Sequence, residues 1–256
     1  MHTTVDVVIP TFENFEILKE AVNSCKNQSH QVARILIIDD GSSEKIRKAL
    51  QVEYDQDSAV RVIFIPHTGL PGAARAIGIQ NSTAEWIAFL DSDDTWEPSK
   101  IELQLRLSSQ TGASLIYTNG RTFGEKVESY SIFPNLPTKV SFRRLAKSNI
   151  IINSSVLVRR EVFSASLTYA TSLRMRAEDY ATWLRIRTKY EFAGLDLPLT
   201  NYRISDTSIR RENEHDPRIY ALANFIMWSR EHNRSSFSRF GLFRRVAFSE
   251  MRRSYE

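Results

Sequence analysis

Short runs of continuously apolar, mostly β-branched residues recur along the first half of the chain, with room for a helix between each pair. They lie at residues 5–9, 35–38, 60–65 and 86–90, with a weaker run at 115–117. Continuous apolar character, in place of alternation, is typical of strands that are covered on both faces. The pattern predicts a mostly parallel α/β sheet over residues 1–120, with helices at 15–26, 44–51 and 73–80.

The second half of the chain lacks this rhythm. Residues 120–139 are polar and contain proline, residues 150–158 form a further apolar run, and residues 178–187 have helical character. No Gly/Ser-rich linker separates the two halves. We therefore expect residues 1–210 to form one domain and residues 211–256 to form a C-terminal helical extension.

Composition narrows the class of protein. The chain has 256 residues, of which 42% are hydrophobic, and this excludes disorder as its main state. The single cysteine, Cys25, cannot form an internal disulfide, and no Cys/His cluster has the spacing of a zinc site. No apolar run reaches the roughly 18 residues of a membrane-spanning helix, and the first residues do not resemble a signal peptide. These features favour a cytoplasmic protein.

Acidic residues gather where two of the predicted strands end. Asp39 and Asp40 follow the second strand, and Asp91, Asp93 and Asp94 follow the fourth. The carboxyl ends of parallel strands form the ligand-binding edge of such a sheet. Five carboxylates at one edge would repel one another unless a positive charge lies among them, and a divalent cation is the simplest candidate.

Two acidic motifs suit particular ligands. Asp91 and Asp93 form an Asp-x-Asp pair, and Mg²⁺ or Mn²⁺ takes one or two carboxylates from a protein and its other ligands from water and phosphates. The alternative is that these acids only cap the helix predicted near residues 98–107, although three acids exceed what a cap requires. The carboxylates of Asp39 and Asp40 suit the imide N–H of uracil, and the alternative there is an ordinary turn.

Five segments, taken in order, resemble the motif set of family 2 glycosyltransferases with the GT-A fold. They are VIPTFE (8–13), IDDGS (38–42), GAARA (72–76), FLDSDD (89–94) and AEDYATWLR (177–185). The resemblance extends from Val5 to about Ser208. It implies a Rossmann-like α/β domain in which residues 1–120 bind the nucleotide and residues 121–210 bind the acceptor.

The resemblance also implies a donor site. Asp40 would lie at the uracil of a UDP-sugar, Arg75 near the diphosphate or the uracil, and Asp91 near the ribose or the donor sugar. Asp93, with Asp91, would hold Mn²⁺ or Mg²⁺. The complete set of expected donor contacts is Pro10, Thr11, Glu13, Asp39, Asp40, Arg75, Asp91 and Ser92.

On the acceptor side, Asp179 is the general base that the resemblance implies, and Glu178 would contact the acceptor or orient the base. Trp183 lies one helical turn from Asp179 and either contributes to an acceptor platform or packs in the core. The family often has a metal-binding His three residues after a Tyr. Here Ser205 stands at that position after Tyr202, so the third metal ligand is unassigned.

Together these residues predict an inverting transfer of a hexose from a UDP-sugar. The base takes the proton of the acceptor hydroxyl, the cation stabilises the leaving diphosphate, and an α-linked donor gives a β-linked product. Two other classes stay open: a haloacid-dehalogenase-type phosphatase, whose Asp-x-Asp-x-Thr motif fits residues 91–95, and a non-catalytic nucleotide-sugar-binding module. Nucleic-acid binding is not expected, because the basic residues do not cluster around a reader motif.

The net charge of +4 conceals a strongly basic C-terminal stretch. Residues 234–253 carry six Arg and one Glu, and a helical projection places the aromatic residues on one face. Such a segment suits an anionic membrane surface. The alternative is packing on the domain or pairing between the subunits of a homodimer. With the resemblance, the tail predicts a peripheral enzyme on the inner face of the cell membrane that extends a polyprenyl-diphosphate-linked sugar of O antigen, lipopolysaccharide or capsule.

Overall fold

One eight-stranded sheet runs through the part of the chain that the structure describes. The structure is a computed structural model, and it describes residues 3–124, 128–163, 177–204 and Phe225. The strands are β1 (Val5–Thr11), β2 (Arg34–Asp39), β3 (Val60–Phe64), β4 (Trp86–Phe89), β5 (Thr95–Trp96), β6 (Leu115–Phe123), β7 (Leu157–Arg159) and β8 (Phe192–Arg203). The helices are α1 (Phe15–Lys26), α2 (Glu44–Tyr54), α3 (Pro71–Asn81), α4 (Lys100–Thr111), α5 (Phe142–Leu145) and α6 (Glu178–Arg187).

The spatial order of the strands is β3-β2-β1-β4-β7-β6-β8-β5. The first four strands of this order are parallel to their neighbours, as the apolar runs predicted. β7 is antiparallel to both β4 and β6, and β5 is antiparallel to β8. The predicted α/β class and the parallel first half are confirmed, and the sheet as a whole is mixed.

The core lies in two layers, one on each face of the sheet. Alternate residues of the central strands point to opposite faces, so Val7 and Ile9 pack in the layer of α1 while Val8 packs in the layer of α3 and α6. This double burial explains the continuous apolar runs. Gly78 of α3 faces β1 so closely that an added Cβ atom would lie 2.3 Å from Cγ1 of Val8, and glycine therefore lets the helix seat against the sheet.

The predicted C-terminal extension falls mostly outside the described residues. Phe225 is the one residue of it that the structure describes, and its buried ring packs on Phe142 of α5 with 5.1 Å between the ring centroids. Ser205 and the basic stretch 234–253 also lie outside the described ranges. Within those ranges, no helix has the length and apolar character needed to cross a membrane. The boundaries at 120 and 210 stay predictions.

Candidate active site

The loops after β1 and β2 meet at the carboxyl edge of the sheet. Pro10 and Thr11, at the end of β1, stand opposite Ile38 and Asp39 of β2. Strand pairing alone therefore brings together the first two segments that sequence reasoning assigned to the donor. β4 lies on the other side of β1 and directs its own acidic loop to the same edge.

Both acids after β2 hold loops in place. The Asp40 carboxylate accepts hydrogen bonds from the backbone N–H of Thr68 at 2.8 Å, from the Thr68 hydroxyl at 2.9 Å and from the backbone N–H of Gly69 at 2.9 Å. One oxygen of Asp39 accepts a hydrogen bond from the backbone N–H of Ser42 at 3.1 Å. The expected contact of these acids with uracil stays a prediction, and in the structure the two acids hold residues 42, 68 and 69 in place.

The loop after β1 is fastened to the start of α2 by Glu13. Its backbone N–H donates to the Ser42 hydroxyl at 2.8 Å, and its carboxylate accepts from the Ser43 hydroxyl at 3.0 Å and from the Ser43 backbone N–H. Gly41 has φ +75°, and an added Cβ atom there would lie 2.5 Å from the backbone nitrogen of His67. Only glycine fits this close approach of two loops.

Two polar atoms near this edge have unused hydrogen-bonding capacity. Oγ1 of Thr11 and Oδ1 of Asp39 are buried and have no hydrogen-bond partner among the described residues. Close by, the rings of Phe12 and His67 stack with 4.4 Å between centroids, and 48% of the Phe12 surface is exposed. The hydroxyl of Ser92 accepts a weak hydrogen bond from the Asn14 amide at 3.4 Å, which joins the loops after β1 and β4.

A buried arginine links Asp91, after β4, to the start of α6. The Arg75 guanidinium donates to Oδ1 of Asp91 at 2.6 Å and to Oε1 of Glu178 at 2.6 Å. The amide of Asn153 also donates to Oδ1 of Asp91, at 2.9 Å. The positive charge expected among these acids is therefore present in the chain itself, and one residue connects α3, the end of β4 and the start of α6.

Asp91, Asp93 and Asp94 form an acidic cluster after β4, in which Asp94 holds neighbouring segments in place. Its buried carboxylate accepts from the Ser154 hydroxyl at 2.5 Å and from the backbone N–H of Arg203 at 2.9 Å. Burial, followed by the neighbouring Asp91 and Asp93 carboxylates, raises the pKa of Asp94 well above its usual range. No side chain caps the start of α4, and these acids therefore do not serve as a helix cap.

Asp93 is the member of the cluster that is available to a ligand. Burial and the Asp91 carboxylate raise the pKa of Asp93. No other residue of the described chain donates a hydrogen bond to its carboxylate, although Arg203 donates to its backbone oxygen at 2.8 Å. No group of three His, Cys, Asp or Glu side chains in the described ranges is placed to hold a metal ion. One or two carboxylates suffice for Mg²⁺ or Mn²⁺ when a diphosphate supplies further oxygens, so this donor set fits.

The Glu178-Asp179 pair opens α6. Removal of the Asp179 carboxyl group from water, reinforced by the Glu178 carboxylate, raises the pKa of Asp179 to about 7, while Arg75 acts in the opposite direction. The backbone N–H of Tyr180 donates to one Asp179 oxygen at 2.7 Å. Ala177, directly before the pair, has φ 75°, an unfavourable conformation for alanine. Such strain is commonly found where a site requires a particular geometry.

Trp183 does not form an acceptor platform in this structure. Its side chain has no exposed surface, and its ring lies 6.0 Å from the ring of Phe89 in the core. Residues 180–186 of α6 are all buried, so this part of the helix has no exposed face. Of the two alternatives for Trp183, the structure therefore shows core packing. Another residue has to provide the contact with the acceptor.

Sequence reasoning missed the residues that hold the acidic cluster in place. Asn153 and Ser154 reach Asp91 and Asp94 from the segment before β7, and Arg203 reaches the same cluster from the end of β8. A signal for the first two existed, because polar residues interrupt the apolar run 150–158. Arg203 directly follows Tyr202 in a segment that was considered only for its missing histidine.

Replacement of Arg75 tests the buried bridge. We expect Arg75→Gln to lower the free energy of unfolding by about 3 kcal/mol. This is the lower end of the range for a broken buried ion pair, because the Asp91 side chain is 30% exposed. Arg106→Gln, which breaks an exposed pair with Glu102, should change it by less than about 0.5 kcal/mol. Urea unfolding measures both, and adding Glu178→Gln to Arg75→Gln should restore part of the loss. An Arg75→Gln protein as stable as the wild type would contradict the bridge.

Comparisons with known proteins show which proteins this chain is similar to. An uncharacterized glycosyltransferase from Rickettsia felis is 31% identical over 204 residues, which are 79% of this chain and 33% of that relative. The chain thus spans about a third of the length of that relative. UDP-Glc:alpha-D-GlcNAc-diphosphoundecaprenol beta-1,3-glucosyltransferase WfgD from Escherichia coli is 25% identical over 245 residues, with coverage of 87% of this chain and 92% of WfgD.

Among solved structures, S. aureus TarS 1-349 in complex with UDP-GlcNAc matches with a TM-score of 0.67 and 15% identity. The match covers 92% of this chain and 75% of the TarS chain, and at this identity it shows the fold. The family model described as Glycosyl transferase family 2 matches residues 6–167, more than half of the sequence. The chain therefore belongs to glycosyl transferase family 2 and has the GT-A fold.

Proposed function

We propose that this chain transfers a hexose from a UDP-sugar to a sugar acceptor, with inversion and with dependence on Mn²⁺ or Mg²⁺. The observation that carries the proposal is the Arg75 bridge. It joins Asp91, on the donor side, to Glu178, the neighbour of the expected base Asp179, in one hydrogen-bonded unit. The residues that a donor and an acceptor would require are thereby fixed relative to each other.

The loops after β1 and β2 support a uridine site. Oδ1 of Asp39 and Oγ1 of Thr11 have no hydrogen-bond partner among the described residues, and an unpaired buried polar atom is costly unless a ligand or water relieves it. The stacked rings of Phe12 and His67 add an exposed aromatic surface. The TarS structure, which shares this fold, was determined with UDP-GlcNAc.

Asp179 is suited to act as the general base. A carboxyl group with a pKa of about 7 can accept the proton of an acceptor hydroxyl near neutral pH, where the proton affinity of an ordinary carboxylate is too low. The backbone N–H of Tyr180 holds one carboxylate oxygen, so the other is left to take the proton. With one base and no covalent intermediate, displacement inverts the anomeric centre, and an α-linked donor gives a β-linked product.

Asp93, with Asp91, would hold the divalent cation. When bound, the cation supplies positive charge that stabilises the diphosphate leaving group. Burial and then the Asp91 carboxylate raise the pKa of Asp93, and the same charge would relieve the repulsion between the two carboxylates. Arg75 is committed to Asp91 and Glu178, so its part is to position these acids.

We propose a polyprenyl-diphosphate-linked sugar as the acceptor, used on the inner face of the cell membrane. The name of the relative WfgD specifies a GlcNAc-diphosphoundecaprenol acceptor. The basic, aromatic stretch 234–253 would bring the enzyme to such a substrate. Membership of glycosyl transferase family 2 disfavours the phosphatase alternative, and a non-catalytic module would bind UDP-sugars without transfer.

We expect Asp179→Asn to lower transfer by roughly 10² to 10⁴-fold, because the amide cannot take the proton. The affinity for UDP should stay unchanged. For the wild type, kcat/KM should rise with pH through about 7, because only the ionised carboxylate accepts a proton, and it should fall below that pH. A radiolabelled assay with UDP-glucose, UDP-galactose and their N-acetylated forms measures this, with exposed Asp55→Asn as the control. An Asp179→Asn enzyme of full activity would exclude this role.

We expect Asp93→Asn to weaken the binding of UDP in the presence of Mn²⁺ by at least roughly tenfold, because the cation loses a carboxylate ligand. In the presence of a chelator, the variant and the wild type should bind UDP equally. Titration calorimetry with and without Mn²⁺ separates the two contributions, and Asp55→Asn again serves as the control. Binding that does not depend on Mn²⁺ in the wild type would contradict the metal assignment.

Deletion of residues 234–256 tests the membrane proposal. Each arginine near an anionic surface contributes about 1 kcal/mol, so the wild type should sediment with vesicles that contain anionic lipid and should be released by salt. The shortened protein should stay in the supernatant, while zwitterionic vesicles should bind neither form. Equal sedimentation of both proteins with anionic vesicles would refute membrane contact through this segment.

A further inference from the structure

Beyond the acidic cluster, several side chains share one face of the sheet. Thr122 of β6 pairs with Tyr130 on one side, through a 3.0 Å backbone hydrogen bond, and with Tyr202 of β8 on the other. Gly120 pairs in the same way with Ile132, whose backbone N–H donates to the Gly120 oxygen at 2.9 Å. Directly paired residues project to the same face of a sheet, and so do residues two apart along a strand. Tyr130, Ile132 and Tyr202 therefore face the same way.

Gly120 connects this face to the acidic cluster. A Cβ atom added there would lie 2.8 Å from Cδ1 of Ile152 and 3.0 Å from Cδ1 of Ile132, so the two isoleucine tips meet over the glycine. Ile152 directly precedes Asn153, whose amide donates to Asp91 at 2.9 Å. We call the surface formed by Tyr130, Ile132, Ile152 and Tyr202 the tyrosine patch.

The tyrosine patch is open to solvent. Tyr130 is 58% exposed and Tyr202 is 37% exposed, and the two isoleucines are partly exposed. Ile151, the neighbour of Ile152, is buried in the same core layer as α6, the helix that begins with the Glu178-Asp179 pair. The patch thus borders the layer that carries the proposed base.

The strand order places the tyrosine patch on the other side of β4 from the loops proposed to bind uridine, which follow β1 and β2. Asp39 and Thr11 stand on β2 and β1, and Asp91 follows β4. The patch is formed by β8, the segment before β7 and residues 130–132 beside β6. The strands β7, β6 and β8 all lie beyond β4 in the order β2-β1-β4-β7-β6-β8. A UDP-sugar bound on β2 and β1, with its sugar at Asp91, would therefore leave the patch for the second substrate.

We propose that the tyrosine patch binds the sugar ring of the acceptor, an inference that rests on the proposed glycosyl transfer. A pyranose ring has an apolar face of C–H groups and a rim of hydroxyls. A tyrosine ring can cover the face while its phenol bonds to the rim, and small apolar side chains fill the space beside it. The phenols and the nearby Asn153-Asp91 pair make the surface too polar for a lipid chain, and this favours the sugar over the polyprenyl group.

The test compares Tyr130→Ala and Tyr130→Phe with the wild type, using an α-GlcNAc diphosphate on an undecyl chain as the acceptor probe. We expect Tyr130→Ala to raise KM for the probe by about 5- to 10-fold with a smaller change in kcat, because a stacking contact is lost. Tyr130→Phe should restore KM to within about threefold of the wild type. The affinity for UDP should stay unchanged in both, and Val52→Ala, which removes another exposed apolar side chain on α2, is the control.

Saturation-transfer NMR gives a readout that does not require turnover. In the wild type the GlcNAc ring protons should receive saturation, and in Tyr130→Ala that signal should fall several-fold while the UDP signals persist. An unchanged KM together with an unchanged ring signal would overturn the proposal, as would saturation confined to the alkyl chain. A wild type that binds UDP-sugars and contacts the probe ring without transferring sugar would instead contradict the proposed function and leave the patch supported.

Discussion

The arrangement of the site depends on one buried guanidinium. Arg75 comes from α3, Asp91 follows β4, and Glu178 opens α6, so two hydrogen bonds of 2.6 Å connect elements that are far apart in the sequence. A buried charge is tolerated only when it is paired and hydrogen-bonded, and without Arg75 the carboxylates of Asp91 and Glu178 would lose their ion-pair partner. The bridge therefore fixes where α6 begins and holds the first turn that carries Asp179. Ala177, directly before that turn, has a left-handed backbone conformation. The bridge has to offset the energetic cost of that conformation.

The acids at the sheet edge divide into two groups by their hydrogen bonds. The carboxylate oxygens of Asp40 and Asp94 accept hydrogen bonds from backbone and side-chain donors, and these bonds fix the segments around the site. Asp93 and Asp179 have few such donors, and burial together with neighbouring carboxylates raises the pKa of each. Burial and like charge both disfavour the ionised form of a carboxyl group, so both raise its proton affinity. These two remain able to exchange a cation or a proton with a ligand.

The first half of the fold was predictable because strands that are covered on both faces have unbroken runs of apolar residues in the sequence. β8 was missed for the opposite reason: exposed Asp196 and Pro198 interrupt it, and its register with β6 shifts on both sides of Asn119. The acidic motifs were found because they follow apolar strands directly. Asn153, Ser154 and Arg203 could not be assigned, since their role depends on which strands become neighbours across 60 or more residues. The two alternatives for Trp183 could not be separated from the sequence, because they depend on whether its side of α6 is covered, and residues 180–186 are all buried.

The mixed sheet has a consequence for the site that a fully parallel sheet would not have. Because β7 runs antiparallel to β4, its amino-terminal end lies at the edge where β1, β2 and β4 have their carboxyl ends. The segment directly before β7 can therefore reach Asp91 and Asp94, and its Ile152 is part of the tyrosine patch. A single reversal of strand direction thus joins the side of the sheet proposed for the nucleotide to the side proposed for the acceptor. The two proposed substrate sites then share one hydrogen-bonded framework, which would hold the two substrates in a fixed relative position.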